Sequence, residues 1–145
     1  MEFGDIVLAS ATFFVVTVLF YLLPPFGIIF QYTSVSFVLS VLAAGLIVGF
    51  MYAHKLTVEK IKSIFKILAV SAVLLAFFTA SMTFTDWTTY QAAGGSHPEA
   101  VTTAEEFLLQ VPYWTVSQIV IEWLVGGPFA FIGLYAGSLT RKKVS

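Results

Sequence analysis

Residues 114–139 read WTVSQIVIEWLVGGPFAFIGLYAGSL, and Arg141, Lys142 and Lys143 follow this stretch. It contains a single charged side chain, Glu122. A transmembrane helix needs about 20 predominantly apolar residues, and basic residues are typical of its cytoplasmic flank. The stretch is therefore predicted to cross a membrane with an acid inside it.

The composition of the whole chain also indicates a membrane protein. Of its 145 residues, 59% are hydrophobic and only 10% are charged, and the mean hydropathy is +0.93. A soluble domain carries about 25% charged residues, so we expect one membrane domain over residues 1–145. The absence of cysteine excludes disulfides and thiol catalysis, and a net charge of −1 predicts no nucleic-acid partner.

Four apolar segments predict an all-α integral membrane protein with a four-transmembrane-helix bundle in the lipid bilayer. Pro24-Pro25 ends the first segment, because proline lacks the backbone donor and disfavours helix in the residue before it. The predicted spans are residues 6–23, 34–53, 65–84 and 114–139.

One polar segment, residues 86–112, is predicted to be a loop outside the membrane. Thr102 and Glu105 have the spacing of a capping box, which indicates a short helix from there to about Val111. Phe107 and Val111 share one side of this helix with Leu108. We therefore expect a short amphipathic helix on the outer surface of the membrane.

The positions of the basic residues predict the orientation. With four spans, all of them fall on one side of the membrane, so the positive-inside rule places both termini in the cytoplasm and residues 86–112 outside. The expected location is the plasma membrane. The basic residues are Lys55, Lys60, Lys62, Lys66, Arg141, Lys142 and Lys143.

Small residues recur at helical spacing within three of the spans. Such stripes let a neighbouring backbone approach closely, and they predict helix-packing faces. The residues concerned are Gly45, Gly49, Ala72, Ala76, Gly133 and Gly137.

The candidate polar site is a stripe formed by Thr115, Gln118 and Glu122, which share one helix face. An acid at the centre of a membrane helix costs about 2.5–3.5 kcal/mol on insertion scales. All basic residues of the chain lie at the opposite membrane boundary. Glu122 is therefore expected to be neutral, to face water on a proton or cation path, or to pair with another subunit. If it is neutral, its partners are hydroxyls such as those of Ser36, Ser40, Thr79 and Thr83.

The triplet Gly126-Gly127-Pro128 lies one turn beyond Glu122. Pro128 has no backbone N–H, so the carbonyl group of Leu124 loses its usual helical partner. A kink is the common consequence of such a triplet, whereas a broken helix beside an acid is the geometry of ion sites in many transporters. Both interpretations stay open.

The remaining motifs give no reason to expect catalysis. His54 and His97 are predicted at opposite boundaries, so they cannot bind one metal or one haem within a chain. We expect no cofactor, no metal site and no catalytic residues.

The sequence therefore favours a non-catalytic, accessory or structural subunit of a larger membrane protein complex. Its expected partners are other membrane subunits or further copies of itself. The competing hypothesis is a small homo-oligomeric transporter or channel that uses Glu122 beside the Gly-Gly-Pro triplet.

Overall fold

A computed structural model describes residues 1–23, 33–57, 59–92, 116, 120 and 123–140. The described elements are all helices, with no strand among them. The four helices are α1 (Phe3–Leu22), α2 (Thr33–Met51), α3 (Lys60–Ala92) and α4 (Trp123–Thr140).

Three of the helices are long and apolar enough to cross a membrane: α1, the Lys60–Ser81 part of α3, and α4. In α2, the apolar part Val35–Met51 is shorter. Helix α1 has 20 residues, which at 1.5 Å per residue is about 30 Å and matches the hydrocarbon core of a bilayer. The all-α prediction and the presence of candidate membrane helices are confirmed. The predicted surface helix lies outside the described residues.

The bounds of α1 follow from its flanking sequence. The helix begins three residues earlier than the predicted span, with Asp5 in its first turn, where an acid is favoured by the helix dipole. At its other end, Leu23 has an extended backbone (φ −96°, ψ 154°). Pro24 follows Leu23, and extended backbone is what proline imposes on the residue before it.

Helix α3 differs from the predicted span at both ends. It begins at Lys60, after Glu59 in a left-handed conformation (φ 49°), and it continues to Ala92. Residues 86–92 are therefore helical, although they were expected to belong to the loop. Hydropathy marks where the apolar surface ends, but a helix can continue into polar sequence that contains no breaker.

Helix α1 packs against both α2 and α3. The Ser10 hydroxyl lies 3.2 Å from the carbonyl oxygen of Ile67, and the rings of Phe14 and Phe78 meet edge to face with centroids 6.0 Å apart. Because the residue numbers rise together, α1 and α3 run parallel. Asp5 pairs with Lys55, just beyond the end of α2, so α1 and α2 run antiparallel.

Helix α4 closes the ring of helices by contacting α2 through glycines. A Cβ atom added to Gly45 would lie 2.8 Å from the carbonyl oxygen of Ala130. A Cβ atom added to Gly133 would lie 2.6 Å from the carbonyl oxygen of Leu42. Real Cβ atoms essentially never approach so closely, so only glycine permits this backbone separation.

The same contact repeats one turn further along both helices. A Cβ atom on Gly49 would overlap the carbonyl oxygen of Leu134, and one on Gly137 would overlap the carbonyl oxygen of Leu46. We call this two-turn contact the glycine seam. Since the numbers again rise together, α2 and α4 run parallel.

With these helix directions, one end of every helix lies at the same end of the bundle. We call it the basic end. The start of α1 and the end of α2 meet there through Asp5 and Lys55. The start of α3 meets the end of α4 where the Lys60 ammonium lies 5.4 Å from the ring centroid of Tyr135. The sequence Arg141-Lys142-Lys143 follows directly after α4.

Adding one methyl group at the glycine seam is predicted to destabilise the protein. Overpacking a well-packed contact costs about 1–3 kcal/mol, so Gly49→Ala and Gly137→Ala should each lower the free energy of unfolding by that amount. Unfolding by SDS in mixed micelles, followed by tryptophan fluorescence, measures the change.

The matched control is Gly4→Ala, because a Cβ atom there meets nothing within 4 Å. This variant should unfold at the same SDS fraction as the parent chain or at a slightly higher one. If Gly49→Ala behaves like Gly4→Ala, the two backbones do not touch at the seam.

Candidate functional site

The predicted polar stripe of Thr115, Gln118 and Glu122 lies outside the described residues. The adjoining Gly126-Gly127-Pro128 triplet is described, and helix α4 runs without interruption from Trp123 through this triplet to Thr140.

Gly126 forms a notch for an aromatic ring of α2. A Cβ atom on Gly126 would lie 2.5 Å from Cε1 of Phe37 and 3.5 Å from Val41. The Phe37 ring also meets Trp123 edge to face, with ring centroids 6.4 Å apart. The first glycine of the triplet therefore has a packing role, which extends the contact between α2 and α4 beyond the glycine seam.

Gly127 and Pro128 lie on another side of α4, where they line a groove between α3 and α4 with a volume of about 650 Å³. We call it the α3–α4 groove. The predicted packing residue Ala72 lines this groove, and Ala76 is half-buried one turn further along α3. The full lining is Phe65, Leu68, Ala69, Ala72, Trp123, Gly127, Pro128, Phe131 and Ile132.

Aromatic rings line the part of the α3–α4 groove that lies nearer the basic end. The ring centroids of Phe65 and Phe131 are 5.5 Å apart, and Phe131 stacks on Tyr135 at 6.3 Å. The Lys60 ammonium lies over the ring of Tyr135, the third aromatic residue of this cluster. A cation over an aromatic face is attracted by the ring quadrupole, so Lys60 helps to hold α3 against α4.

Buried hydroxyls join α1 to α3. Ser10 is fully buried, and its Oγ donates to the carbonyl oxygen of Ile6 at 2.7 Å, with the carbonyl oxygen of Ile67 at 3.2 Å. Ser71, also fully buried, donates to the carbonyl oxygen of Ser10 at 3.4 Å. Each serine thus satisfies its hydroxyl on a helix backbone, which is how hydroxyls are tolerated inside membrane bundles.

Thr17 differs from these serines. Its side chain is 1% exposed, and its Oγ1 has no hydrogen-bond partner within the described ranges. Leaving a buried hydroxyl unsatisfied costs about 1–3 kcal/mol. Thr17 is therefore the described polar group that most needs a partner.

Another buried hydroxyl, that of Ser36, lies at a similar height on α2. Thr17 is about 21 Å from the start of α1, and Ser36 is about 22 Å from the end of α2, at 1.5 Å per residue. Ser36 is buried, and the Ser40 hydroxyl donates to its carbonyl oxygen at 2.7 Å. Thr79 is half-buried and has a partner of its own, whereas the side chain of Thr83 is outside the described set.

The ion pair at the basic end was not anticipated from the sequence. The Lys55 ammonium lies 2.5 Å from the Asp5 carboxylate, and their side chains are 37% and 24% exposed. The hydrogen bond that Lys55 donates to Asp5 raises the pKa of Lys55 above its ordinary value of 10.5. The Lys55 ammonium is therefore charged at neutral pH, and on the alkaline side the pair is lost as the pH rises through that raised pKa. The sequence did contain a signal for this pair, because Asp5 and Lys55 are predicted at the same membrane boundary.

The described residues contain no group of three or more His, Asp or Glu side chains that could hold a metal ion. Comparison of the chain with family models, curated proteins and solved structures finds no match.

Because the Thr17 hydroxyl has no partner among the described residues, replacing this buried residue is predicted to raise the free energy of unfolding, whereas most substitutions of buried residues lower it. Thr17→Val keeps the shape of the side chain and removes the unsatisfied oxygen, so the free energy of unfolding should rise by about 1 kcal/mol. Ser71→Ala is the matched control. It removes a satisfied interhelical hydrogen bond and should lower the same quantity by about 0.6 kcal/mol. A larger loss for Thr17→Val than for Ser71→Ala would show that the Thr17 hydroxyl has a partner.

Proposed function

We propose that this chain is a non-catalytic, accessory subunit of a larger membrane assembly. The observation that carries the proposal is that the interior of the bundle is filled with side chains from the basic end to the middle of the helices. This part of the axis is occupied by large apolar side chains.

Five of these side chains come from all four helices and from the turn after α2. Phe13 and Val41 are 0% exposed, and each lies about 15 Å from the basic end of its helix. Ile67 and Leu134 are also 0% exposed, and Leu56 is 1% exposed. A polar solute needs hydrated groups along its path, so a route through the centre of one copy is disfavoured.

The glycine seam favours the same proposal. Transport by alternating access requires one group of helices to rock against another. Backbone atoms of α2 and α4 are in direct contact over two turns, and the Phe37 ring is inserted at Gly126. A rigid, apolar-cored bundle of this kind suits a subunit that supports other chains.

The second candidate is a homo-oligomeric transporter or channel whose path runs between copies and uses Glu122. The observation that favours it is the group of buried hydroxyls far from the basic end, where the Thr17 hydroxyl is unpartnered among the described residues. An intramembrane acid with an unpartnered hydroxyl in the same half of a bundle is a combination typical of proton paths.

We further propose that the basic end faces the cytoplasm of a cell bounded by the plasma membrane. Since the chain has no cysteine, single cysteines can report this directly. Gly4→Cys and Lys62→Cys, both at exposed positions near the basic end, should react with a membrane-impermeant thiol reagent only after the cells are opened.

Ser96→Cys is the matched variant for the opposite side and should react in intact cells. Labelling of Lys62→Cys in intact cells, with protection of Ser96→Cys, would reverse the orientation. Labelling of Gly4→Cys and Lys62→Cys from opposite sides would contradict the bundle itself.

The function is tested by tagging the chain in its source membrane and extracting it in mild detergent. We expect other polypeptides to co-purify in fixed ratio on native gels. We also expect the purified chain alone, in liposomes, to show no proton or cation flux above that of empty liposomes.

A homogeneous species without partners, together with flux, would overturn the proposal. If that flux is lost in Glu122→Gln and kept in Glu59→Gln, the transporter is the correct function. Glu59 is a suitable control because it is an exposed acid that lies before α3, outside the candidate spans.

A further inference from the structure

The α3–α4 groove is an apolar hollow in the part of the chain predicted to lie in lipid. Its rim is open, because the side chains of Phe65 and Ile132 are 60% and 55% exposed. Its floor includes the half-buried small residues Ala72 and Gly127, and the exposed Ala69 also lines it. A volume of about 650 Å³ is within the usual range for pockets that hold small organic ligands.

The groove is only as deep as one leaflet. On α3 its lining extends from Phe65 to Ala72, which is about 10 Å of helix. Half of the hydrocarbon core is about 15 Å thick. A transmembrane helix from a partner would need a contact along the whole span, whereas a lipid acyl chain needs only this length.

Lysines flank the groove at the end where a headgroup would lie. Lys62 and Lys66 are exposed within one turn of Phe65. Lys62 pairs with Glu59 at 2.7 Å, while no ion pair to Lys66 is present among the described residues. An acyl chain in the groove places its phosphate near these ammonium groups, so the charge of the site matches an anionic headgroup.

We propose that the α3–α4 groove binds one acyl chain of an anionic phospholipid from the leaflet at the basic end. The phosphate group contacts Lys66 and Lys62, and the chain passes the ring of Phe65 to lie on Ala69 and Ala72. The basic residues then select a lipid as well as setting the orientation of the protein.

Trp123 lines the groove and reports on its occupant. The chain has three tryptophans, so Trp87→Phe with Trp114→Phe leaves Trp123 as the single tryptophan. This protein is reconstituted in phosphatidylcholine vesicles that contain small fractions of brominated phosphatidylglycerol or brominated phosphatidylcholine. Bromine quenches tryptophan on contact, and the readout is the ratio of the two half-quenching fractions.

We expect half-quenching at an about fivefold lower fraction of phosphatidylglycerol, which is the preference that one lysine gives near a membrane surface. Lys66→Gln should bring the ratio close to one, while Lys55→Gln, a lysine already paired with Asp5, should leave it unchanged. Ala72→Phe fills the floor and should abolish the preference, while Val73→Phe, exposed beside it, should not.

Equal quenching by the two lipids would overturn the proposal. Protection of Trp123 from both lipids would overturn it as well, since the groove would then be covered by protein. Lys66 is exposed, so Lys66→Gln is expected to fold normally, and its result decides the matter even if Ala72→Phe fails to fold.

Discussion

The bundle depends on the direct contact of two helix backbones at the glycine seam. Inside a bilayer the surrounding lipid is as apolar as the side chains, so helices gain little from burying apolar surface against one another. Close packing must supply the attraction instead. Gly45 and Gly133 let the backbones of α2 and α4 approach to a separation that any Cβ atom would prevent.

The other contacts follow from this parallel pair. Helix α1 lies beside α2 and α3, where buried serines satisfy their hydroxyls on backbone carbonyl groups. Helix α3 meets α4 through the rings of Phe65 and Phe131 towards the basic end, and both rings also line the α3–α4 groove. Among the described residues, one side of α4 is thus held by backbone contact, and the other is held by aromatic contacts towards the basic end. This asymmetry is the physical basis for a rigid core with a lipid site on its surface.

Hydropathy and residue spacing predicted the apolar helices and their packing faces. They did not predict which helices contact one another. The apolar segments of α1, α3 and α4 were evident, since the cost of exposing backbone in lipid permits little else. The spacing of Gly45 and Gly49 indicated a packing face but could not name α4 as its partner. The pairing of Asp5 with Lys55 and the unpartnered hydroxyl of Thr17 depend on which helices adjoin, so periodicity alone could not reveal them.

The parallel direction of α2 and α4 is tested most directly by distances between pairs of spin labels. Met51, Thr140 and Val35 are exposed positions away from the glycine seam. In the parallel arrangement, labels at Met51 and Thr140 lie at the same height. Labels at Val35 and Thr140 are then separated by about 25 Å along the axis, at 1.5 Å per residue. A short distance for Met51 with Thr140 and a long one for Val35 with Thr140 is the predicted result, and the reverse order would contradict the glycine seam.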